Sequence, residues 1–237
     1  VTAQEKPTNL MFVFDASGSM WGQIDGVAKI EIAREAFSAA YDDWDASAQN
    51  MGLIAYGHRR KGDCTDIETL VPLERGTGES VAEQVQTLRP KGKTPLAEAI
   101  RLAASELRYR EEAATVVLFS DGLETCNADP CALAAELEQD GIDFTAHVIG
   151  FGLSGDTDRA GLECIAGNTG GEFIEARDAS SLQDALGKLT EASESTETTP
   201  QDVELVPVRI TVQETEGTAR PVQVTFRATN VATGEKQ

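Results

Sequence analysis

Residues 10–20 read LMFVFDASGSM, an apolar run followed at once by a polar turn that contains glycine. The run Leu10–Phe14 is too short to span a membrane and is typical of a buried strand. Asp15, Ser17 and Ser19 follow directly, in a turn that the intervening glycine permits. Ligands of open α/β sheets bind at the carboxyl ends of the strands. The stretch therefore predicts a first strand with a polar site at its end.

Apolar runs alternate with amphipathic stretches from there on, which predicts an α/β fold: a doubly wound, mostly parallel six-stranded sheet with helices on both faces. The segment between Tyr56 and Asp66 has no helical pattern and is a predicted hairpin loop. The strand after this loop is therefore an antiparallel edge strand. The predicted strands are Leu10–Asp15, Gly52–Tyr56, Ile67–Val71, Thr115–Ser120, Phe144–Phe151 and Gly171–Glu175. The predicted helices are Val27–Trp44, Glu79–Leu88, Pro95–Arg108, Pro130–Gln139, Asp158–Ala166 and Ala179–Thr190.

The composition changes near the end of the last predicted helix. A stretch rich in Ser, Thr and Glu is typical of a flexible linker. Val206–Gln213 and Pro221–Thr229 then alternate with a period of two, as strands do, but two strands alone do not make a stable sheet. This tail is either the start of a truncated β-sandwich, which we favour, or a hairpin that docks on the main domain. The predicted parts are a main domain at 1–193, a linker at 194–204 and a β-strand segment at 205–237.

Charge and hydropathy exclude two classes of partner. The 237 residues carry a net charge of −20, from 40 acidic and 20 basic side chains. Such a field repels phosphate backbones and anionic lipid, so neither nucleic acid nor direct membrane insertion is expected. The chain has no signal-like apolar stretch and no initiator Met, and we interpret it as a mature or trimmed form. Nothing in the sequence indicates the oligomeric state.

The four cysteines are Cys64, Cys126, Cys131 and Cys164, and none is spaced as in a zinc site. Three of them lie in polar, turn-rich stretches where a free thiol would be exposed. The sequence therefore favours two disulfides and an extracytoplasmic location, periplasmic, secreted or on the cell surface. The alternative is four buried free thiols in a cytosolic protein.

Two further segments carry polar groups of the same chemistry as the first strand end. Thr94 precedes Pro95 and is a predicted helix N-cap, and Asp121 directly follows a buried apolar strand. Any one of these residues alone is more often a turn or capping residue. Taken together they form an all-oxygen set, which selects Mg²⁺, Mn²⁺ or Ca²⁺ over zinc or copper. The predicted metal ligands are Asp15, Ser17, Ser19, Thr94 and Asp121.

This three-part pattern, Asp-x-Ser-Gly-Ser, a loop Thr and Ser-Asp-Gly, resembles the metal-ion-dependent adhesion site of von Willebrand factor A (VWA) domains of the bacterial secreted or periplasmic type. The resemblance covers about residues 9–190. It implies that the two serines and Thr94 reach the metal directly, while Asp15 and Asp121 ligate it or act through water. It also implies that an Asp or Glu of a protein partner completes the octahedron. Bacterial secreted proteins often join such a domain to β-sandwich modules.

The sheet order of the family also bears on the cysteines. It places the hairpin before Ile67 beside the loop after Asp121. It also makes the helices that contain Cys131 and Cys164 neighbours on one face, because these helices follow consecutive strands. The resemblance therefore implies the pairs Cys64–Cys126 and Cys131–Cys164. The competing pairs, Cys126–Cys131 with Cys64–Cys164, require the second bridge to cross more of the sheet.

Three residues near the same edge are candidate partner contacts. Trp21 follows the serine turn and either touches a partner or packs over the turn. Arg59 and Arg60 belong to a basic island that either attracts an acidic group or is a solvated hairpin tip.

The sequence predicts a metal-dependent protein-binding (adhesion-type) module rather than an enzyme, because no nucleophile elbow, suitably placed imidazole base or phosphate-binding glycine loop occurs. The alternatives are a VWA module that partners an intracellular ATPase of the chelatase type, and a structural module with a relic metal site.

Overall fold

The computed structural model describes residues 9–46, 50–153 and 155–192. The end of the main domain at 193, the linker and the β-strand segment predicted at 205–237 lie outside the described residues. In the described part, no helix has the length and apolar character required to cross a bilayer.

The order of elements follows the predicted alternation. The strands are β1 (Asn9–Asp15), β2 (Gln23–Ile24), β3 (Val27–Ala28), β4 (Asn50–Tyr56), β5 (Ile67–Arg75), β6 (Ala114–Ser120), β7 (Phe144–Phe151) and β8 (Phe173–Ala176). The helices are α1 (Lys29–Ala46), α2 (Gly78–Thr87), α3 (Leu96–Glu106), α4 (Pro130–Asp140), α5 (Asp156–Asn168) and α6 (Ala179–Ala192). A 3-10 turn, Gly18–Trp21, follows β1.

The main sheet has six strands in the order β5-β4-β1-β6-β7-β8. All neighbours are parallel except β4 and β5, which confirms the predicted sheet and its antiparallel edge strand. In the sheet, β4 lies on one side of β1 and β6 lies on the other. The carboxyl ends of β1 and β6 thus lie side by side, with Phe14 opposite Phe119 in the register.

The alternation of β1 divides the core into two layers. Leu10, Phe12 and Phe14 pack with residues of α1, α2 and α6 on one face. Met11 and Val13 pack with residues of α3, α4 and α5 on the other. A central parallel strand is covered on both sides, which is why its sequence is a continuous apolar run rather than an alternating one. Helices on both faces were predicted and are confirmed.

The start of α1 was predicted two residues too early. Val27 and Ala28 belong instead to a small antiparallel hairpin with Gln23 and Ile24, and α1 begins at Lys29. The two-residue connection Asp25-Gly26 has positive φ at both positions, 51° and 84°. Asp-Gly is the strongest short-range signal for a tight hairpin turn, so this element was open to prediction. The other helix and strand ends either coincide with the prediction or differ from it by at most four residues.

Candidate metal centre

The sheet register brings four of the five predicted ligands together. Ser19 Oγ lies 2.8 Å from Ser17 Oγ and donates a hydrogen bond to Asp121 Oδ1 at 2.6 Å. Asp15 lies at the end of β1, and its Oδ2 accepts a hydrogen bond from Ser120 Oγ at 2.7 Å. Asp15, Ser17 and Asp121 are all buried. Residues that are about one hundred positions apart in the chain therefore form one oxygen-rich cluster.

The serine turn is held by its own backbone. Asp15 Oδ1 accepts a hydrogen bond from the Ser17 amide at 2.8 Å, which orients the start of the turn. The Met20 amide donates to the Ser17 carbonyl at 3.1 Å, and the Gly22 amide donates to the Ser19 carbonyl at 2.7 Å. Met20 itself is fully buried and fixes the turn to the core. Both hydroxyls are therefore presented from a fixed backbone, as a preorganised site requires.

Thr94 is placed by a neighbouring loop, and its predicted role as a helix N-cap is wrong. The N-cap position is Pro95, which makes no side-chain capping hydrogen bond, and α3 starts one residue later. Thr94 instead exchanges hydrogen bonds with Thr125: its amide donates to Thr125 Oγ1 at 2.8 Å, and its carbonyl accepts from the Thr125 amide at 3.0 Å. These two hydrogen bonds tie Thr94 to the loop after β6, and Pro95 disfavours a helical conformation for the residue before it.

The loop that carries Thr94 lies directly against the serine turn. The Gly18 amide donates to the Gly92 carbonyl at 3.1 Å, and the Lys91 amide to the Ala16 carbonyl at 3.2 Å. Gly57 lies at this junction with a φ of +70°, and a β-carbon there would come within 2.6 Å of the Lys93 carbonyl oxygen. Only glycine fits such a position without moving the two loops apart.

The electrostatics of the cluster are those of a site with excess negative charge. The pKa of Asp15 is raised to about 6, first because the carboxyl is buried and second because the Asp121 carboxylate is close. Hydrogen bonds from Ser120 and Ser17 oppose this increase in the pKa. A bound cation would relieve the same repulsion.

Two residues of the cluster were missed by the sequence analysis. Ser120 donates to Asp15 and is fully buried, and the Ser-Asp-Gly motif that contains it was quoted without giving it a role. Lys29 Nζ forms a buried ion pair with Asp121 Oδ2 at 3.0 Å. Lys29 lies 92 positions from Asp121 in the sequence, and no local pattern distinguishes it from other lysines at helix starts.

The oxygens of the cluster are close enough together to share one small ion. Ligands at 2.0–2.1 Å from Mg²⁺ place adjacent oxygens about 2.9 Å apart. The Ser17–Ser19 and Ser19–Asp121 oxygens are joined by hydrogen bonds of 2.8 Å and 2.6 Å, so only a small shift would bring them to that spacing. Among the described residues, no group of three or more His, Cys, Asp or Glu side chains is arranged to hold a metal. A metal here would therefore rely on hydroxyl ligands in addition to two carboxylates.

The rim of the cluster presents one fixed apolar side chain. Trp21 is 52% exposed, and its Nε1 donates to the Pro90 carbonyl at 2.8 Å. The indole is thus tied down on one edge and open to solvent on the rest, and its contact with a partner stays a prediction. An exposed aromatic ring that is already held in one orientation loses little entropy on binding a partner.

The basic island is neutralised within its own hairpin. Arg59 Nε contacts Asp66 Oδ1 at 2.7 Å, and Arg59 Nη1 contacts Glu68 Oε2 at 3.0 Å. Arg60 Nη1 contacts Asp63 Oδ2 at 2.9 Å. These ion pairs favour the second interpretation of the sequence, a solvated hairpin tip that holds its own shape.

The two disulfides have the pairing that the family's sheet order implies. Cys64–Cys126 spans a Cα separation of 5.7 Å and joins the hairpin tip to the loop after Asp121. Cys131–Cys164 spans 5.6 Å and joins α4 to α5. Cys126 is the neighbour of Thr125, which hydrogen-bonds the Thr94 backbone. The first disulfide therefore braces the loops beside the candidate metal centre, and the second lies between two helices of one face.

Comparison with known proteins agrees with this fold. Residues 9–188 match the model of the von Willebrand factor type A domain family. The Bacillus subtilis protein YwmD is 29% identical over 204 residues, which is 82% of this chain and 89% of YwmD. The magnesium-chelatase 60 kDa subunit of Cereibacter sphaeroides is 29% identical over 147 residues, 61% of this chain but 24% of that subunit.

A solved structure, the pilus adhesin SpaC from Lactobacillus rhamnosus GG, superposes with a TM-score of 0.65 at 14% identity. The match covers 80% of this chain and 31% of SpaC, and at that identity it bears on the fold alone. Because the family model spans most of the chain and every strand of the main sheet, the chain belongs to the von Willebrand factor type A family.

Proposed function

We propose that this domain binds a divalent metal ion through Asp15, Ser17, Ser19, Thr94 and Asp121 and uses it to hold a carboxylate of a protein partner. The observation that carries the proposal is the chain of oxygens from Ser17 through Ser19 to Asp121, at separations of 2.8 Å and 2.6 Å. Domains of this family are typically interaction modules rather than enzymes. An adhesion-type role needs no catalytic group, only a metal with an open coordination position.

The ligand set favours Mg²⁺ or Mn²⁺ over Ca²⁺. Ca²⁺ takes six to eight oxygen ligands and binds best where several carboxylates are offered, whereas this set offers only two. Mg²⁺ is usually bound by one or two carboxylates and fills its other positions with water and neutral oxygens.

The chemistry of the ligands explains why a partner would bind. Hydroxyls are neutral and donate weakly, so a divalent ion held by few carboxylates stays electrophilic and attracts a further anionic oxygen. A partner that inserts an Asp or Glu side chain supplies it. Trp21, exposed at the rim, offers apolar contact beside that carboxylate.

We also infer an extracytoplasmic location, periplasmic or outside the cell. The support is the pair of disulfides, which form and persist in oxidising compartments. The second candidate function, a partner of an intracellular chelatase-type ATPase, is favoured by the similarity to the magnesium-chelatase subunit. The two candidate functions predict different redox states of the four cysteines. Cysteines that are bridged in the protein recovered from its native cell support the first candidate, and free thiols support the second.

Replacing Asp121 by asparagine is expected to abolish Mg²⁺ binding or weaken it by about tenfold or more, because the variant loses one of only two carboxylates. Calorimetric titration of the oxidised protein with Mg²⁺ and Mn²⁺ measures this directly. The matched control is Asp184→Asn, which removes an exposed carboxylate on α6 and should bind the metal as the original chain does. Equal affinity in all three proteins would contradict the assignment of Asp121.

Partner recognition has a separate test. A peptide carrying one Glu and the same peptide with Gln are titrated into the protein with Mg²⁺ and again with EDTA. The proposal predicts binding of the Glu peptide only, and only with Mg²⁺. Absence of metal binding even with the Glu peptide present would leave the relic interpretation in place.

A further inference from the structure

Lys29 contributes the only positive charge that the described structure places in direct contact with the predicted ligands. Its Nζ lies 3.0 Å from Asp121 Oδ2, and the Asp121 side chain is fully buried. The other oxygen of the same carboxylate, Oδ1, accepts the hydrogen bond from Ser19. Asp121 is thus held between two partners, with one oxygen directed to the serine turn and the other to the lysine.

Two glycines border the Lys29 side chain, where a larger residue would crowd it. A β-carbon at Gly22 would lie 3.4 Å from Lys29 Cε, and one at Gly152 would lie 3.1 Å from the same atom. Gly22 also anchors the start of α1, because its carbonyl accepts the Lys29 amide at 2.8 Å. The lysine stem therefore runs between the end of the serine turn and the end of β7, along a defined path.

The charges at the site then decide how strongly it holds a metal. Two carboxylates, Asp15 and Asp121, contribute two negative charges and Lys29 contributes one positive charge, which leaves one net negative charge. A divalent ion in this site carries one uncompensated positive charge, in a buried environment where charges interact strongly. Without the lysine, the two carboxylates alone would neutralise the ion.

We propose that Lys29 makes metal binding conditional on the partner: it weakens the metal site of the free domain and raises the gain in affinity that an incoming carboxylate provides. This inference rests on the proposed function. Lys29 acts through Asp121 and is a positioning residue that also sets the charge of the site. Metal and acidic partner then bind with positive coupling, and by linkage each strengthens the other by the same factor.

The test compares the original chain with Lys29→Gln, whose amide can still donate a hydrogen bond to Asp121 but carries no charge. Mg²⁺ affinity is measured by calorimetry in sodium acetate and in sodium chloride at equal ionic strength, with acetate as the carboxylate probe. In chloride, Lys29→Gln is expected to bind Mg²⁺ about tenfold more tightly than the original chain. Acetate is expected to tighten Mg²⁺ binding to the original chain and to have a smaller effect on the variant.

Two control variants distinguish the effect of the charge of Lys29 from the effect of its shape. Lys29→Arg keeps the positive charge and should retain the acetate dependence of the original chain. Arg101→Gln removes an exposed positive charge from α3, where Arg101 pairs with Glu98 and Glu136, and should change neither affinity. Melting in EDTA reports whether each variant is folded before metal is added.

The outcomes are distinct. Equal or weaker Mg²⁺ affinity of folded Lys29→Gln in chloride, or the same acetate gain in both proteins, overturns the role of Lys29 while leaving the metal site intact. If Lys29→Gln does not fold, Lys29→Met, which keeps an unbranched stem without the charge, takes its place and is judged by the same criteria. Absence of Mg²⁺ binding to every protein in both buffers overturns the proposed function, and this inference with it.

Discussion

Replacing Phe37 by alanine is expected to lower the free energy of unfolding by about 3–5 kcal/mol. Phe37 projects from α1 into a buried aromatic cluster, with ring centroids 5.6 Å from Phe12, 5.3 Å from Phe14 and 6.0 Å from Phe119. All four rings are buried. The substitution removes the ring and leaves a cavity between the helix and the central strands, which the rigid sheet cannot fill by collapsing. Urea unfolding followed by circular dichroism measures the change.

The control for this prediction is Val27→Ala, at a side chain that is 45% exposed on the small hairpin. Surface truncations of this kind change stability by no more than about 0.5 kcal/mol. A loss below about 1.5 kcal/mol for Phe37→Ala would contradict the packing described for α1, because Phe truncations in a close-packed core are consistently larger.

Removal of the Cys64–Cys126 disulfide by serine substitution at both positions is expected to cost about 2–4 kcal/mol of stability. The bridge closes a loop with a sequence separation of 62, so its loss greatly increases the freedom of the unfolded chain. It should also weaken Mg²⁺ binding, because Cys126 adjoins the residue that fixes the Thr94 backbone. Thermal melting gives the stability, and calorimetry with Mg²⁺ gives the affinity.

The second disulfide provides the matched control. Cys131–Cys164 has a sequence separation of 33 and joins α4 to α5, so serine substitution at both of its positions should also lower the melting temperature. It should leave Mg²⁺ affinity unchanged, because this bridge joins two helices and not the loops that carry the predicted ligands. If the two double variants lost metal affinity equally, the bracing role of Cys64–Cys126 would be wrong and the loss would reflect general destabilisation.

The fold could be predicted because its signals are local. The continuous apolar run of β1 requires a strand covered on both faces, and the helix-free segment before Ile67 requires an antiparallel neighbour. The predicted ligands could be grouped for a related reason, since Asp15 ends β1 and Asp121 directly follows β6, and strands that are neighbours in a parallel sheet end at the same edge. The order of the motifs along the chain was then enough to predict that these residues lie close together.

What escaped prediction depends on three-dimensional contact. Lys29 reaches Asp121 across 92 positions of sequence, and nothing around it indicates a buried ion pair. The role of Thr94 was misassigned because a Thr-Pro pair is a common helix start, whereas here tertiary hydrogen bonds to Thr125 hold the threonine in a loop. The small hairpin before α1 was missed although its Asp-Gly turn is a recognisable local signal.

The central claim, a metal held by the serine turn and the Thr94 loop, has its most direct test in anomalous diffraction from crystals grown with Mn²⁺. We expect one strong manganese peak within bonding distance of the hydroxyl oxygens of Ser17, Ser19 and Thr94, with Asp15 and Asp121 around it directly or through water. Strong manganese peaks elsewhere on the molecule, with none between these hydroxyls in a site open to solvent, would contradict it.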